Sequence, residues 1–194
     1  MKVFIQILRG RVLNPEGLQG QLDTWLRDLS PGAEGWLGST GGITDDRRFI
    51  ASFRFESAEA AQRNSDRPEQ TNWWNQTSKS MDTARFWDCT DVDDYKAGGS
   101  DQAGFVQFIQ GRVVDREAYR AAMRGLGSSN RDDVIGGVVA WDSSRFTEVV
   151  YFTSEAEARK GEHSAPHTAA LEKVWPLTQD LEYFDIRNPW FASP

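Results

Sequence analysis

The chain has 194 residues, 39% hydrophobic and 26% charged, with a net charge of −7, which suits one large or two small globular domains and excludes a disordered chain. No apolar run approaches the roughly 18 residues of a membrane span, and Arg9 and Arg11 interrupt the start before a signal-peptide core can form. The charge is spread evenly, −4 over residues 1–95 and −3 over the rest, without the basic stripe of a nucleic-acid binder. A lone Cys89 cannot form an internal disulfide and suits a reducing compartment. The expectation is a cytoplasmic protein with neither nucleic-acid nor membrane partners.

In chain order, Val3–Leu8 is an apolar, β-prone run holding one amide, Gln6. Asn14-Pro15 then has the form of a helix N-cap followed by proline in the first turn. Leu18, Leu22, Trp25, Leu26 and Leu29 share one helical face, and Pro31-Gly32 stops that helix. Trp36–Thr44 and Phe49–Glu56 read as two strands joined at Asp45-Asp46-Arg47. A helix starts at Ser57, is interrupted by Pro68, and gives way to a strand holding Arg85–Asp88. Gly98-Gly99-Ser100 marks residues 96–102 as a flexible linker.

The pattern then starts again. Phe4–Val12 returns as Phe105–Val113, and Phe49–Asp88 aligns without a gap on Phe146–Asp185. Asp115 takes the capping position, and Tyr119, Ala122, Met123 and Leu126 the helical face, with Gly127 as the stop. Val134–Trp141 and Phe146–Thr153 are the second hairpin, Ser154 opens the next helix, Pro166 interrupts it, and Glu182–Asp185 lies in the last strand. Two homologous halves follow, 1–95 and 103–194, each β-α-β-β-α-β, the ferredoxin-like unit. Strand positions of both parities are apolar, so each four-stranded sheet has a second face to bury. Closure of the two halves into one pseudo-twofold, eight-stranded α/β barrel is expected, with a monomer as its own internal pseudo-dimer and further dimerisation through other surfaces left open.

This repeated pattern resembles the dimeric α/β-barrel superfamily, in particular its antibiotic-biosynthesis-monooxygenase-like proteins, as a tandem fusion. Tyr151-Phe152-Thr153-Ser154-Glu155-Ala156-Glu157-Ala158-Arg159 resembles the strand-to-helix signature of its small members. The resemblance implies a small-molecule cavity and a cofactor-independent monooxygenase acting on an aromatic or polyketide-like substrate. It leaves open a non-enzymatic stress-response barrel filled by its own side chains, and a heme-binding or heme-degrading protein. Heme-degrading relatives combine a strand amide with a helix Trp and His. Gln6 and Gln107 occupy the amide's region here, as Gln rather than Asn, and the first half has no histidine.

Substrate-binding candidates are therefore Gln6 and Gln107, Trp74 and Trp175, and His167. A Gln in an apolar strand needs a hydrogen bond; a neighbouring backbone group is the preferred partner, a ligand carbonyl the other. Trp73 and Trp74 are roughly 100° apart on a helix, so one of them faces a cavity, a contact or solvent. His163 and His167, beside Glu162, are four apart but straddle Pro166, and read as exposed rather than as a metal site. No metal or cofactor is expected. Arg11 with Asp88, and Arg112 with Asp185, form candidate structural bridges between neighbouring strands. Gly41-Gly42 and Gly136-Gly137 lack the context of phosphate loops and permit a bulge, a bend or a close backbone approach. No base can be assigned.

Overall fold

A computed structural model describes residues 3–127 and 131–194, with side chains for all of these except 125–127, 165–167 and 170. The chain forms two compact units, residues 1–92 with 188–194, and residues 93–187.

The first unit is built on β1 (Phe4–Val12), β2 (Trp36–Ile43), β3 (Arg48–Phe55) and β4 (Met81–Cys89). Its helices are α1 (Pro15–Thr24), α2 (Ala58–Ser65) and α3 (Pro68–Thr77). In the second unit the same series is β6 (Phe105–Val113), α4 (Arg116–Gly127), β7 (Val134–Asp142), β8 (Arg145–Phe152), α5 (Glu155–Glu162), α6 (Ala165–Val174) and β9 (Thr178–Ile186). Both sequence blocks thus fold as ferredoxin-like units, with the second helix of each split in two. At Arg67-Pro68 the split follows from the missing proline N–H and the extended residue that precedes it.

Local chemistry sets the helix starts. The Asn14 side chain accepts from the Gly17 N–H at 3.0 Å, and Asp115 accepts from Ala118 at 2.9 Å. The Ser57 and Ser154 hydroxyls each cap the following helix at 3.2 Å, to Ala60 and Glu157. Removing such a cap costs about 1 kcal/mol. Ser154→Ala is accordingly expected to lower the urea midpoint by that equivalent while Ser154→Asp preserves it; equal losses in both would show that the hydroxyl does not act as a cap. Helix α1 continues through a wider π-type turn at Trp25–Leu29 into a tight turn at Ser30–Gly32, so its apolar face reaches the proline-glycine stop.

Each unit's four repeat strands are joined by a fifth that the sequence reading did not anticipate. The sheet orders are β10-β2-β3-β1-β4 and β5-β7-β8-β6-β9, where β5 is Asp91–Lys96 and β10 is Trp190–Ala192. The segment after β4 thus edges the second sheet, and the segment after β9 edges the first, with Trp190 opposite Gly41. Both sheets are antiparallel, open and five-stranded, and neither is closed into the expected eight-stranded barrel. The pseudosymmetry extends to irregularities: β1–β4 slips between Arg9 and Arg11, and β6–β9 slips between Gln110 and Arg112. Thr83 and Asp180 take up positive φ, 58° and 52°, at these matching bulges.

In the first unit the core lies between sheet and helices, where Leu8, Phe49 and Phe55 meet Leu18, Leu22, Trp25 and Trp73. The second unit packs Trp141 and Phe146 against Tyr119 of α4 and Val174 of α6. Cys89 is buried opposite Ile5, as a structural thiol would be. Among the described residues, no helix is long and apolar enough to cross a membrane.

Candidate functional site

Each unit holds a cavity between its sheet and its helices. The second unit's is about 400 Å³ and walled by apolar side chains, including Ile109, Met123, Val150, Leu171 and Val174. The first unit's is about 310 Å³ and lined by Trp25, Phe53, Trp74 and Phe86. Gln107 and Trp175 border the former, Gln6 and Trp74 the latter.

Both glutamines are held by a carboxylate, not by the backbone group that was preferred. Gln6 Nε2 donates to Asp88 Oδ1 at 2.8 Å, and Gln107 Nε2 donates to Asp185 Oδ1 at 2.9 Å. The register explains this, since Gln6 faces Asp88 and Gln107 faces Asp185 directly across neighbouring strands. The same register corrects the expected Arg–Asp bridges. Arg11 lies opposite Asp82, and Arg112 pairs with Asp180, because each arginine stands five residues beyond the glutamine that faces Asp88 or Asp185, at the other end of the antiparallel pair. Asp185's other oxygen binds Arg159 of α5, which also reaches Glu162 at 3.1 Å and Glu155 at 3.3 Å.

Of the adjacent tryptophans, Trp73 is buried and donates to the Gln21 carbonyl at 2.7 Å. Trp74 is half-buried and meets Phe86 edge-on at 5.0 Å. Trp175 follows α6 and is 48% exposed at the rim of the larger cavity. His163 is exposed at the end of α5, and the side chain of His167 lies outside the described residues. Among the described residues, no group of three or more His, Cys, Asp or Glu is arranged to hold a metal.

The larger cavity contains a group that the sequence reading did not single out. Glu148 projects from the middle of β8, 6% exposed, and accepts a 2.8 Å hydrogen bond from the Tyr95 hydroxyl. Burial raises its proton affinity to a pKa of about 7, and the Tyr95 hydrogen bond pulls the other way. Burial, followed by the nearby Glu148 charge, pushes the Tyr95, Tyr119 and Tyr183 hydroxyls above the ordinary tyrosine range. At neutral pH these phenols therefore stay protonated, while the carboxyl is poised to hold or release a proton. A signal was present in the repeat alignment, where Glu148 falls on Ala51 and Arg159 on Gln62. Among the described residues, no charged side chain lines the first unit's cavity.

No family model matches the chain, and no curated protein matches it in sequence. Among solved structures, a candidate monooxygenase from Lactobacillus acidophilus superposes over 100% of this chain and 97% of its own, at TM-score 0.77 and 12% identity. A second, from Fusobacterium nucleatum, covers 99% and 94% at TM-score 0.77 and 5% identity. The chain shares their ferredoxin-like fold. An anthrone oxidase-like protein shares this fold at TM-score 0.68 and 12% identity, over 100% of this chain and 95% of its own. At such identities the likeness speaks for the fold alone, and an activity has to be argued from the site.

Proposed function

We propose that the second unit binds an uncharged, electron-rich phenol and oxidises it with dioxygen to a quinone, the substrate itself supplying the electrons. The observation that carries this reading is Glu148, a buried carboxyl with a pKa near 7 inside an apolar cavity of about 400 Å³. That volume suits a small aromatic ligand, and a base of this strength is matched to neutral pH.

The chemistry balances as one phenol plus one dioxygen giving one quinone and one water. Glu148 takes the phenol proton, and the cavity's apolar walls leave the phenolate electron-rich. Two one-electron steps then join the para carbon to dioxygen, and Glu148 returns its proton to the peroxide. When the O–O bond breaks, the carboxylate takes the para C–H proton and the departing hydroxide leaves as water. One oxygen atom stays in the product. Gln107, fixed by Asp185, and Trp175 at the rim orient the ring.

Oxygen uptake with a panel of mono- and dihydroxyarenes tests this. The expected result is one dioxygen consumed per substrate, with a rate that rises as pH passes through about 7. Loss of a general base costs about 10²–10⁴-fold, so Glu148→Gln is expected to fall by that factor. Absence of uptake across the panel would overturn the reading. The two cavities favour ligand binding over a barrel filled by its own side chains. The closed pseudo-dimeric barrel belongs to the same proposal and predicts a single-chain mass in native mass spectrometry, a dimer being compatible with it only through other surfaces.

A further inference from the structure

We propose that Tyr95, carried into the second unit by the strand that ends the first repeat, is the positioning residue of Glu148, and that Gly137 is the clearance built for its ring. This rests on the reading of Glu148 as the base. Three observations converge on it.

The first is contact. Tyr95 of β5 reaches over β7 to place its hydroxyl 2.8 Å from Glu148 on β8. A carboxylate oxygen held by a phenol O–H has one lone pair occupied and its plane fixed, so the other oxygen is directed for proton transfer.

The second is clearance. A Cβ at Gly137 would come within 2.1 Å of the Tyr95 ring carbon Cζ and of its hydroxyl. Only glycine lets the ring cross β7 there, which accounts for the second glycine of the Gly136-Gly137 pair.

The third is the first unit, where all three positions differ together. Ala51 stands at the Glu148 position, and the same offset of the repeats puts Ala192 of β10 at the Tyr95 position. Ser39 replaces Gly137: Ser39 lies opposite Ala192 and pairs with Phe53, as Gly137 pairs with Val150, the repeat mate of Phe53. Acid, phenol and clearance are thus present as a set in one unit and absent as a set from the other. Among the described residues the set occurs once, and that site draws a residue from beyond its own repeat.

Other groups around the pair are accounted for. Tyr119 of α4 and Tyr183 of β9 face the same carboxyl. From β5 itself, Lys96 bonds to the carbonyls of Arg131 and Val134. Arg131, ahead of β7, pairs with Asp133, while Arg159 and Glu162 of α5 bind each other, with Asp185 of β9 on Arg159. Helix α6 presents Leu171 and Val174. Tyr95 is the hydroxyl hydrogen-bonded to Glu148 at 2.8 Å.

The test follows the Glu148 carboxyl directly, by infrared difference titration of the full-length protein without substrate, with Glu148→Gln as the blank. Tyr95→Phe is nearly isosteric and is expected to keep the fold. Losing a hydrogen bond to a carboxylate is expected to move its midpoint up by about one pH unit. Gly137→Ala displaces the ring and is expected to move it in the same direction, while Asp94→Asn, an exposed change on the same strand, leaves it in place. In the oxygen assay the rising limb moves with the midpoint. An unmoved midpoint in Tyr95→Phe overturns the positioning role, even in a protein that consumes oxygen. A moved midpoint without oxygen uptake by any phenol upholds the coupling and overturns the oxygenase reading alone.

Discussion

At pH 8 the Glu148→Gln protein is expected to be more stable than the wild type, and at pH 5 the advantage largely disappears. Burial raises the folded-state pKa of Glu148 to about 7 from an ordinary 4.5, partly offset by the Tyr95 hydroxyl. Below the lower value both folded and unfolded chains keep the proton, so the group costs nothing. As pH rises through the folded value the native state must bury a charge that the unfolded chain exposes to water. The carboxyl's contribution is therefore fully present below pH 4.5 and lost on passing about 7. The loss between pH 5 and pH 8 is about 2–3 kcal/mol. Gln keeps an acceptor for Tyr95 and has no such titration. Urea midpoints of both proteins at pH 5, 6.5 and 8 measure the difference, and every group they share cancels. An offset between the two that does not change with pH would rule out a buried, titrating carboxyl.

Carboxylates elsewhere carry the opposite sign in a different window. Hydrogen bonding from Thr44, aided by Arg48, holds Asp46 below the ordinary range, and Arg187 does the same for Glu155. Both are ionised across pH 5–8 in either state, so they stabilise the fold there and lose that effect only in acid. Asp46 and Glu155 behave as parts of the fold, and Glu148 as a group the fold tolerates at a cost. Such local instability is what a buried proton acceptor requires, and is a reason to read it as functional.

Much of the fold was legible because its signals are local. Asn14-Pro15, Ser57 and Ser154 announce helix starts by their own hydrogen-bonding chemistry, and alternating aromatics mark β3 within two residues of its ends. The edge strands were not legible. Asp91–Lys96 is an acidic run beside a glycine-rich linker, and its extended form depends on pairing with a sheet strand more than 40 residues further along the chain. Charged edge strands of this kind lack the apolar alternation that sequence reading relies on. The glutamines stood out as amides in apolar strands, yet their partners depend on register, and the antiparallel pairing that sets Gln107 opposite Asp185 carries Arg112 to Asp180 at the far end of β9. Glu148 was passed over because one acid in F-T-E-V-V-Y-F looks the same whether its carboxyl reaches water or not. Burial, and with it the proton affinity, is set by β5 and α4, which the strand's own sequence does not encode.

The first unit holds two kinds of tryptophan, which mutation is expected to resolve. Trp25 is 3% exposed, meets Trp36 edge-on at 4.9 Å and Trp73 at 6.5 Å, and donates its indole N–H to Gln70 at 2.8 Å. Truncating a fully packed tryptophan removes its transfer energy and leaves a void, at about 3–5 kcal/mol, so Trp25→Ala is expected to lose that much in urea titration of the first unit. Trp25→Phe restores most of the ring packing but leaves Gln70 without its donor, and is expected to fall between. Trp74 already borders a cavity of about 310 Å³, and its clearest ring partner beyond α3 is the exposed Phe86. Its removal enlarges an existing space instead of opening a new one, and the lost edge contact and partial burial amount to about 1–2 kcal/mol. A small loss at Trp74 beside a large one at Trp25 would mark Trp74 as a wall whose position is free to serve a ligand. Equal losses would place both tryptophans in the core and leave the first unit's cavity as a packing gap.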